Sequence, residues 1–423
     1  MFERIKYDFD VIVIGGGPSG MMAAGRAGEL GKKVLLLEKN KDLGEKLKIT
    51  GGGRCNITNA EFDERTLLKN YGSTEQFLYS PFSQFGVKET FDFFEKRGLP
   101  LVIQAHKRAF PQTEKAVDVF KVLEKYMKES GVTVKTNSPV SAILKERNSS
   151  ADKVGRIIGI KVGSKTCTAH SYIFATGGTS HPEIGSTGDG FNWLSDLGHQ
   201  VKSPTPNIVP LAVKEAWVKS LSGTSLSFMK ITFYVDGVKK FSKTGKLLFT
   251  HFGLSGPLIL NSAGKVGDLL HAGIVTAKID AYPDTNAGDL EKKIIKVFDA
   301  NKNKTLKNVL DEVVPHGTAK AILSLLKNID SDIKVHSVTK ENRKNLVSLL
   351  KALPVTIEGL MGIERAVVVD GGVDLTEIDT KTMQSKIFDN LFVTGDLLHI
   401  ERPSGGFSLQ LCWTTGFIAG SNA

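Results

Sequence analysis

The residue spacing that most narrowly limits the chemistry of this chain is Gly15-x-Gly17-x-x-Gly20, placed directly behind the apolar run Val11–Ile14. A strand that ends in such a turn and continues as a helix points free backbone N–H groups, and the positive end of the helix dipole, at a phosphate. Gly15 permits the turn, Gly17 lets the backbone approach a pyrophosphate, and Gly20 lets helix and strand pack closely. Pro18 and Ser19 open the helix. Glu38 follows a second apolar run, Val34–Leu37, where its carboxylate can accept hydrogen bonds from the hydroxyls of an adenosine ribose.

Two later motifs turn a dinucleotide site into a flavin site. Ala175-Thr176-Gly177-Gly178 closes the apolar stretch SYIF with small residues that cannot clash with a ligand. Gly395-Asp396 follows Leu391-Phe392-Val393, and Asp396 is placed either to accept from a ribityl hydroxyl or to cap a helix. Between them they outline a domain that holds FAD.

Two further glycine loops belong to the flavin side. In Gly51-Gly52-Gly53-Arg54-Cys55-Asn56 the backbone can approach the cofactor, and Arg54 can offset its negative charge. Gly405-Gly406-Phe407-Ser408-Leu409 precedes a helix whose N-terminus would stabilise a reduced, anionic flavin. A redox thiol beside flavin usually needs a partner cysteine, and Cys55 has none at a suitable spacing, so packing is its plainer role. Histidines are the usual proton carriers near neutral pH, and His399, in the loop after Asp396, leads His106, His181 and His251. The catalytic candidates are thus His399, Asn56 and Cys55. No zinc pattern, Walker motif or Ser-His-Asp arrangement appears.

These groups need elements to position them. Residues 1–59 read as strand, turn, helix and strand, followed by an irregular glycine-rich loop, DLGEKLKITGGGRCNITN. Helical spacing runs over 60–130 and strand alternation over 132–174, with a hairpin turn at RNSSADKVG. After Ser203-Pro204-Thr205-Pro206 the texture changes to short β-like runs. The reading is an α/β fold: a Rossmann-like FAD domain in two parts, 1–200 and 354–423, split by a β-barrel-like subdomain over 201–285 and a small helical bundle over 286–353.

Composition is that of an ordinary globular protein, and no run is long and apolar enough for a membrane span. The first residues lack the apolar core of a signal peptide, and the three cysteines lack paired spacing, so the cytoplasm is the expected compartment. Lys and Arg number 55 against 45 Asp and Glu, for a net charge of +10. Residues 196–250 hold eight Lys against three acids, but scattered along the chain. A solvated face is the plain reading of that charge, so nucleic acid is not an expected partner.

Seven segments carry a resemblance to a known family: GGGPSGMMAA, EKNKDLGEKLKITGGGRCNITN, KRAFPQTEKAVDV, FATGGTSHPEIGSTGDGF, GKLLFTHFGLSGPLIL, EIDTKTMQSKIFDNLFVTGD and SGGFSLQLCWTTGFIAG. Together they resemble the bacterial FAD flavoproteins that include aminoacetone oxidase and bile-acid 3-oxo-Δ4 reductase. The resemblance implies a glutathione-reductase-type FAD domain with an inserted barrel and helical bundle. The expected cofactor contacts are Gly15, Gly17, Pro18, Ser19, Gly20, Glu38, Lys39, Lys46, Gly53, Arg54, Cys55, Asn56, Val140, Thr176, Gly177, Gly395, Asp396, Gly405, Gly406, Phe407, Ser408 and Leu409. This chain departs from the family pattern after Asp396. Where the family reads Leu-Asp-Val-Asp-Gly and Gly-Tyr-Asn-Leu-Gln, it has Leu398-His399-Ile400-Glu401-Arg402 and Gly406-Phe407-Ser408-Leu409-Gln410.

The functional expectation is an FAD-dependent oxidoreductase acting on a small organic substrate, by amine oxidation or by enone or ketone reduction. A second nicotinamide-binding glycine turn is absent, so NAD(P)H, where it serves as electron donor, would bind only transiently, and O2 stays open as the acceptor. The competing readings are an RNA-modifying flavoprotein that uses the basic insert, and a non-catalytic flavin-binding redox protein. Oligomeric state is not legible. Because Glu38 and the Gly15–Gly20 turn address the adenosine half, the purified protein should be yellow, and its extracted chromophore should run as FAD. Recovery of FMN, or of no flavin after reconstitution, would refute the assignment.

Overall fold

The computed structural model describes residues 7–146, 154–326, 329–362 and 368–423, and the side chains of 206, 207, 368 and 369 are not among those described. The expected hairpin turn at RNSSADKVG lies largely outside the described residues. The chain divides into two compact units: residues up to 205 together with those from 368 onward, and residues 206–367.

The first unit is built on a five-stranded parallel sheet. Its strands lie in the order Leu391–Val393, Ala169–Phe174, Phe9–Ile14, Val34–Leu37, Thr133–Lys135. The central strands are uninterrupted apolar runs because both faces of a parallel sheet are covered. Val11 to Val13, Leu35, Leu36, Ile173 and Phe174 have no exposed surface. The register aligns the strand ends: Ile14 pairs with Phe174 and with Leu37, and Phe174 pairs with Val393. The residues that follow, Gly15, Glu38, Ala175 and Thr394, therefore leave the sheet side by side. That edge, at the carboxyl ends of the strands where strand order reverses, is where open α/β sheets bind ligands.

The helix Pro18–Glu29 starts from Gly17, with proline in its first turn and no side-chain cap. It packs against the C-terminal helix Phe407–Asn422 with backbone almost touching backbone. A Cβ at Gly416 would lie 2.4 Å from Ser19 O, and one at Gly420 would lie 2.3 Å from Ala23 O. Residues 45–53, which the sequence assigns to an irregular loop, form a short helix, kinked where Thr50, Gly51 and Gly52 leave helical geometry. Its first turn is made of Glu45, Lys46, Leu47 and Lys48, good helix formers, and Leu47 is anchored in the core.

In the second unit six antiparallel strands close a barrel, in the order Leu211–Val213, Gly253–Ser255, Val238–Phe249, Ser225–Val235, Val275–Asp280, Leu353–Leu360. Ile231, Phe233, Leu247, Phe249, Ala277 and Ile279 fill the interior. The helices Ala287–Ala300 and Lys340–Lys351 add Leu290, Ile294, Phe298, Leu346 and Leu350 to the same core. The α/β class with an inserted barrel agrees with the sequence reading. The insert's ends differ: the sequence reading places them at 201 and 353, whereas the second unit runs from 206 to 367 and Leu353–Leu360 is the sixth barrel strand. It pairs with Leu211–Val213 on one side and Val275–Asp280 on the other, without which the barrel would have two open edges.

A buried histidine ties the first unit together. His199 Nδ1 lies 2.8 Å from Glu377 Oε2, and Nε2 lies 3.0 Å from Ser385 Oγ. Ser385 Oγ already accepts from the N–H groups of Ile387 and Phe388, so it donates to Nε2, and the neutral ring carries its proton on Nδ1. Burial lowers the His199 pKa from the ordinary 6.5, and Glu377 offsets this only in part. Stability is then full above pH 6.5 and falls as the pH drops below it, because the unfolded chain takes the proton more readily. Denaturant titrations between pH 8 and pH 5 should show this loss, and His199→Gln should flatten the dependence. An unchanged slope in the variant would assign the effect elsewhere.

Candidate functional site

The turn after the first strand is held at three points. Gly15 N donates to Leu37 O at 2.8 Å, and a Cβ at Gly20 would lie 1.9 Å from Gly15 O. Any side chain at position 20 would push the helix off the turn. Glu38 is the third point: its Oε2 accepts from Gly16 N and its Oε1 from Asn40 N, both at 2.8 Å. Each carboxylate oxygen retains a further lone pair for a ligand hydroxyl. Beside Gly17 the space is open, with no atom within 4 Å of a Cβ position. Ser19 turns inward instead, its Oγ donating to Thr394 Oγ1 at 2.6 Å.

Gly395 adopts φ +63, and its N donates to Thr415 Oγ1 of the C-terminal helix at 3.0 Å. Asp396 comes next. Its Oδ1 accepts from the buried Arg402 guanidinium, and its Oδ2 lies 3.3 Å from Lys46 Nζ. Burial works to raise the Asp396 pKa, but the charges of Arg402 and Lys46 outweigh it and hold the carboxyl below its ordinary value. Arg402 is fixed in turn by Ser408 Oγ at 3.1 Å and by the Ile400 carbonyl. The sequence does not single out Arg402. Its signal is a lone cation in a Gly- and Pro-containing loop six residues after the acid.

Lys46 also donates to Ser180 Oγ, which ties the short helix to the loop after Gly178. Lys39 donates to Asp189 Oδ2 at 2.8 Å and to Thr187 Oγ1, so both expected lysine contacts reach toward the Thr176–Asp189 segment. In that segment Gly177 takes φ +74, and the hydroxyls of Thr176 and Thr179 are buried without a hydrogen-bond partner. Asn56 Oδ1 is likewise buried and unpartnered. Gly53 has open space beside it, whereas Arg54 faces outward, 3.4 Å from Glu114 Oε1 and over the Phe110 ring. Val140 begins a separate three-stranded sheet with Arg156–Val162 and Lys165–Cys167.

Cys55 is fully buried, and burial pushes its thiol up to about 12, with a hydrogen bond to Thr50 only partly opposing. Cys412 is pushed up to about 12 in the same way. In both, burial disfavours the thiolate, which is the reactive form. His106 and His181 sit in left-handed turns, and His181 Nδ1 is 2.9 Å from Glu183 Oε1. His399 differs from both: its Nε2 is 3.2 Å from Lys202 Nζ, and its Nδ1 is buried with no partner.

The Gly405-Gly406 turn sets the last helix. Gly406 takes φ +103, and a Cβ there would lie 2.2 Å from the Thr58 carbonyl carbon. Phe407 is locked by Tyr71, whose hydroxyl donates to its carbonyl at 3.0 Å. Leu409 is buried, and Ser408 is committed to Arg402. Like the first helix, this one starts without a side-chain cap. Two uncapped helix starts, a carboxylate at the end of the second strand and three unsatisfied buried oxygens form a donor and acceptor set that fits an anionic dinucleotide.

Residues 9–422 match the model of the HI0933-like protein Rossmann domain family. The chain belongs to this family, and with it to the FAD-dependent oxidoreductases. It is 27% identical to the 3-dehydro-bile acid delta(4,6)-reductase of Clostridium scindens, over 97% of this chain and 98% of that one. It is 28% identical to the ribosomal RNA dihydrouridine synthase of Haemophilus influenzae, over 96% of each. Its fold is similar to that of 3-ketosteroid delta1-dehydrogenase from Sterolibacterium denitrificans, with a TM-score of 0.53 and 14% identity, covering 97% of this chain and 98% of that one.

Glu38→Ala removes both hydrogen bonds that brace the glycine turn and the acceptor expected to hold the ribose. FAD affinity should fall by roughly 1–3 kcal/mol, the range for a hydrogen bond to a charged group. Retention of the flavin through dialysis, equal to that of the wild type, would show that Glu38 does not hold the cofactor.

Proposed function

We propose that this chain uses FAD to reduce a carbon–carbon double bond conjugated to a carbonyl. The observation that carries this reading is that two relatives, matched over almost their whole length at nearly equal identity, are named for the same bond chemistry. A 3-dehydro delta(4,6) bile acid presents double bonds conjugated to its C3 ketone. Dihydrouridine is uridine whose C5–C6 double bond, conjugated to the C4 carbonyl, has been saturated.

Bound FAD supplies the two-electron transfer, recharged by NAD(P)H. The N–H groups of Gly17, Ser19 and Gly20 would hold the diphosphate, Glu38 would hold the ribose hydroxyls and Asp396 would receive the ribityl chain, its charge fixed by Arg402 and Lys46. Saturating the bond also requires one proton at the carbon next to the carbonyl. His399 is the proposed carrier: Lys202 donates to its Nε2, so the ring proton sits on Nδ1, and as Nδ1 gives that proton to the carbon the Lys202 ammonium passes one to Nε2, which keeps the ring neutral.

The charge distribution favours a base within RNA over a free enone as the substrate. Residues 206–367 hold 23 Lys and Arg against 15 Asp and Glu, which is +8 of the chain's +10. A surface of that sign attracts a phosphate backbone.

Anaerobic stopped-flow separates the steps. NADPH or NADH should bleach the flavin, and either a 3-keto-Δ4 steroid or a uracil-containing ribosomal RNA fragment should restore its colour. His399→Ala should leave bleaching by NAD(P)H intact and slow recolouring at least tenfold, within the span of general acid catalysis. Bleaching by a small amine, with no recolouring by either conjugated substrate, would overturn the reading.

A further inference from the structure

We propose that the outer face of the barrel binds single-stranded RNA, with Phe228 stacking on a base and Lys230, Lys239, Lys246 and Lys278 holding phosphates. This inference rests on the RNA reading above.

The strand register builds the surface. Residues 225–235 alternate, with Leu226, Met229, Ile231, Phe233 and Val235 buried and Lys230, Thr232 and Tyr234 facing out. Lys230 lies opposite Thr244, Tyr234 opposite Lys239, and Thr232 opposite Lys278 of the next strand. Lysines that are scattered in the sequence thus fall on one face of three adjacent strands. Lys278 Nζ sits 5.3 Å from the centre of the Tyr234 ring, which joins a cation to an aromatic face.

Phe228 is the second, independent observation. The pairing slips between Leu226 and Met229, and this bulge carries Ser227 and Phe228 opposite Lys246. Phe228 takes φ +61, a left-handed conformation that is costly for a bulky side chain, and the residue is 54% exposed. Neither strain nor an exposed aromatic benefits the isolated fold, and strained residues of this kind gather at ligand clamps. An aromatic ring beside unpaired lysines is the arrangement that binds unstacked bases without regard to sequence.

The lysines are not offset by acids. Among the described residues, none of the nine lysines from Lys214 to Lys278 lies within ion-pair distance of a carboxylate, although the helical part of the same unit has such pairs, as in Lys307–Asp332. Asp280 faces Lys230 in the register, but it is held by Lys351 Nζ at 2.6 Å. Asp236, at the hairpin end, accepts from Ile274 N. A polyanion is the occupant that completes such a face.

The test uses the full-length FAD-loaded protein and a labelled single-stranded RNA of about 16 nucleotides, with binding read by anisotropy across a salt series. Lys230→Gln/Lys246→Gln/Lys278→Gln should weaken binding and reduce the log–log salt slope by about 2, as expected for three lost phosphate contacts on a single strand. Phe228→Ala should weaken binding at least about fivefold with the salt slope unchanged. Wild-type flavin content and thermal midpoint confirm that each variant is folded. The lysine variant leaves the barrel interior untouched, so it decides the matter even if Phe228→Ala misfolds. Wild-type RNA affinity in the lysine variant, or binding to phosphatidylserine vesicles in preference to RNA, would overturn the proposal. The outcome is independent of turnover: a protein that reduces a 3-keto-Δ4 steroid yet ignores RNA loses this inference and keeps the reductase reading, and the converse holds as well.

Discussion

The first unit depends on one packing constraint, the near contact of backbones on both sides of the helix Pro18–Glu29. On one side Gly20 rests on the Gly15 carbonyl, and on the other Gly416 and Gly420 rest on Ser19 and Ala23. No side chain separates these surfaces, so the helix can neither slide nor rotate without a clash. Its start is therefore fixed against the glycine turn. The C-terminal helix is fixed against it as well, and through Thr415 so is Gly395. Segments almost four hundred residues apart in the chain meet at one sheet edge with little freedom, as a site that must hold a cofactor requires.

Charge is arranged in that frame with one carboxylate between two cations. Asp396 alone would be costly in its enclosed position. Arg402 and Lys46 make its ionised form the stable one and leave a surplus of positive charge beside the crevice. Such a surplus suits an anionic cofactor and would stabilise negative charge that develops during reduction. His399 stands three residues further along the same loop, where Lys202 sets which ring nitrogen carries the proton.

The second unit solves a different problem. Its barrel removes all sheet edges, and its interior is filled by alternating apolar residues, so the outer face is free to vary without loss of stability. That face carries the positive charge and the strained, exposed Phe228. Folding alone explains the inner residues of these strands and leaves the outer ones without a structural task.

Much of the dinucleotide fold is legible in the sequence because its signals are local. An apolar run, glycines at fixed spacing, a proline in the first helical turn and an acid at the end of the next strand each act within a few residues, and strand–turn–helix geometry follows from them. The departure at His399 is visible for the same reason. The partners of these residues depend on the tertiary structure. Arg402 reaches Asp396 only because the loop between them folds back, and nothing in residues 397–401 encodes that return. Leu353–Leu360 reads as a strand, but the barrel claims it because Leu211–Val213 and Val275–Asp280 would otherwise keep open edges. The lysines look scattered because strand register, set by turns and a bulge, decides which faces share a side, and a slip of one residue would turn each to the other face. Sequence by itself determined the kinds of element and the cofactor they address, through short-range sterics. Only tertiary structure decided which charges meet, because distant pairing is chosen by the packing of the whole unit.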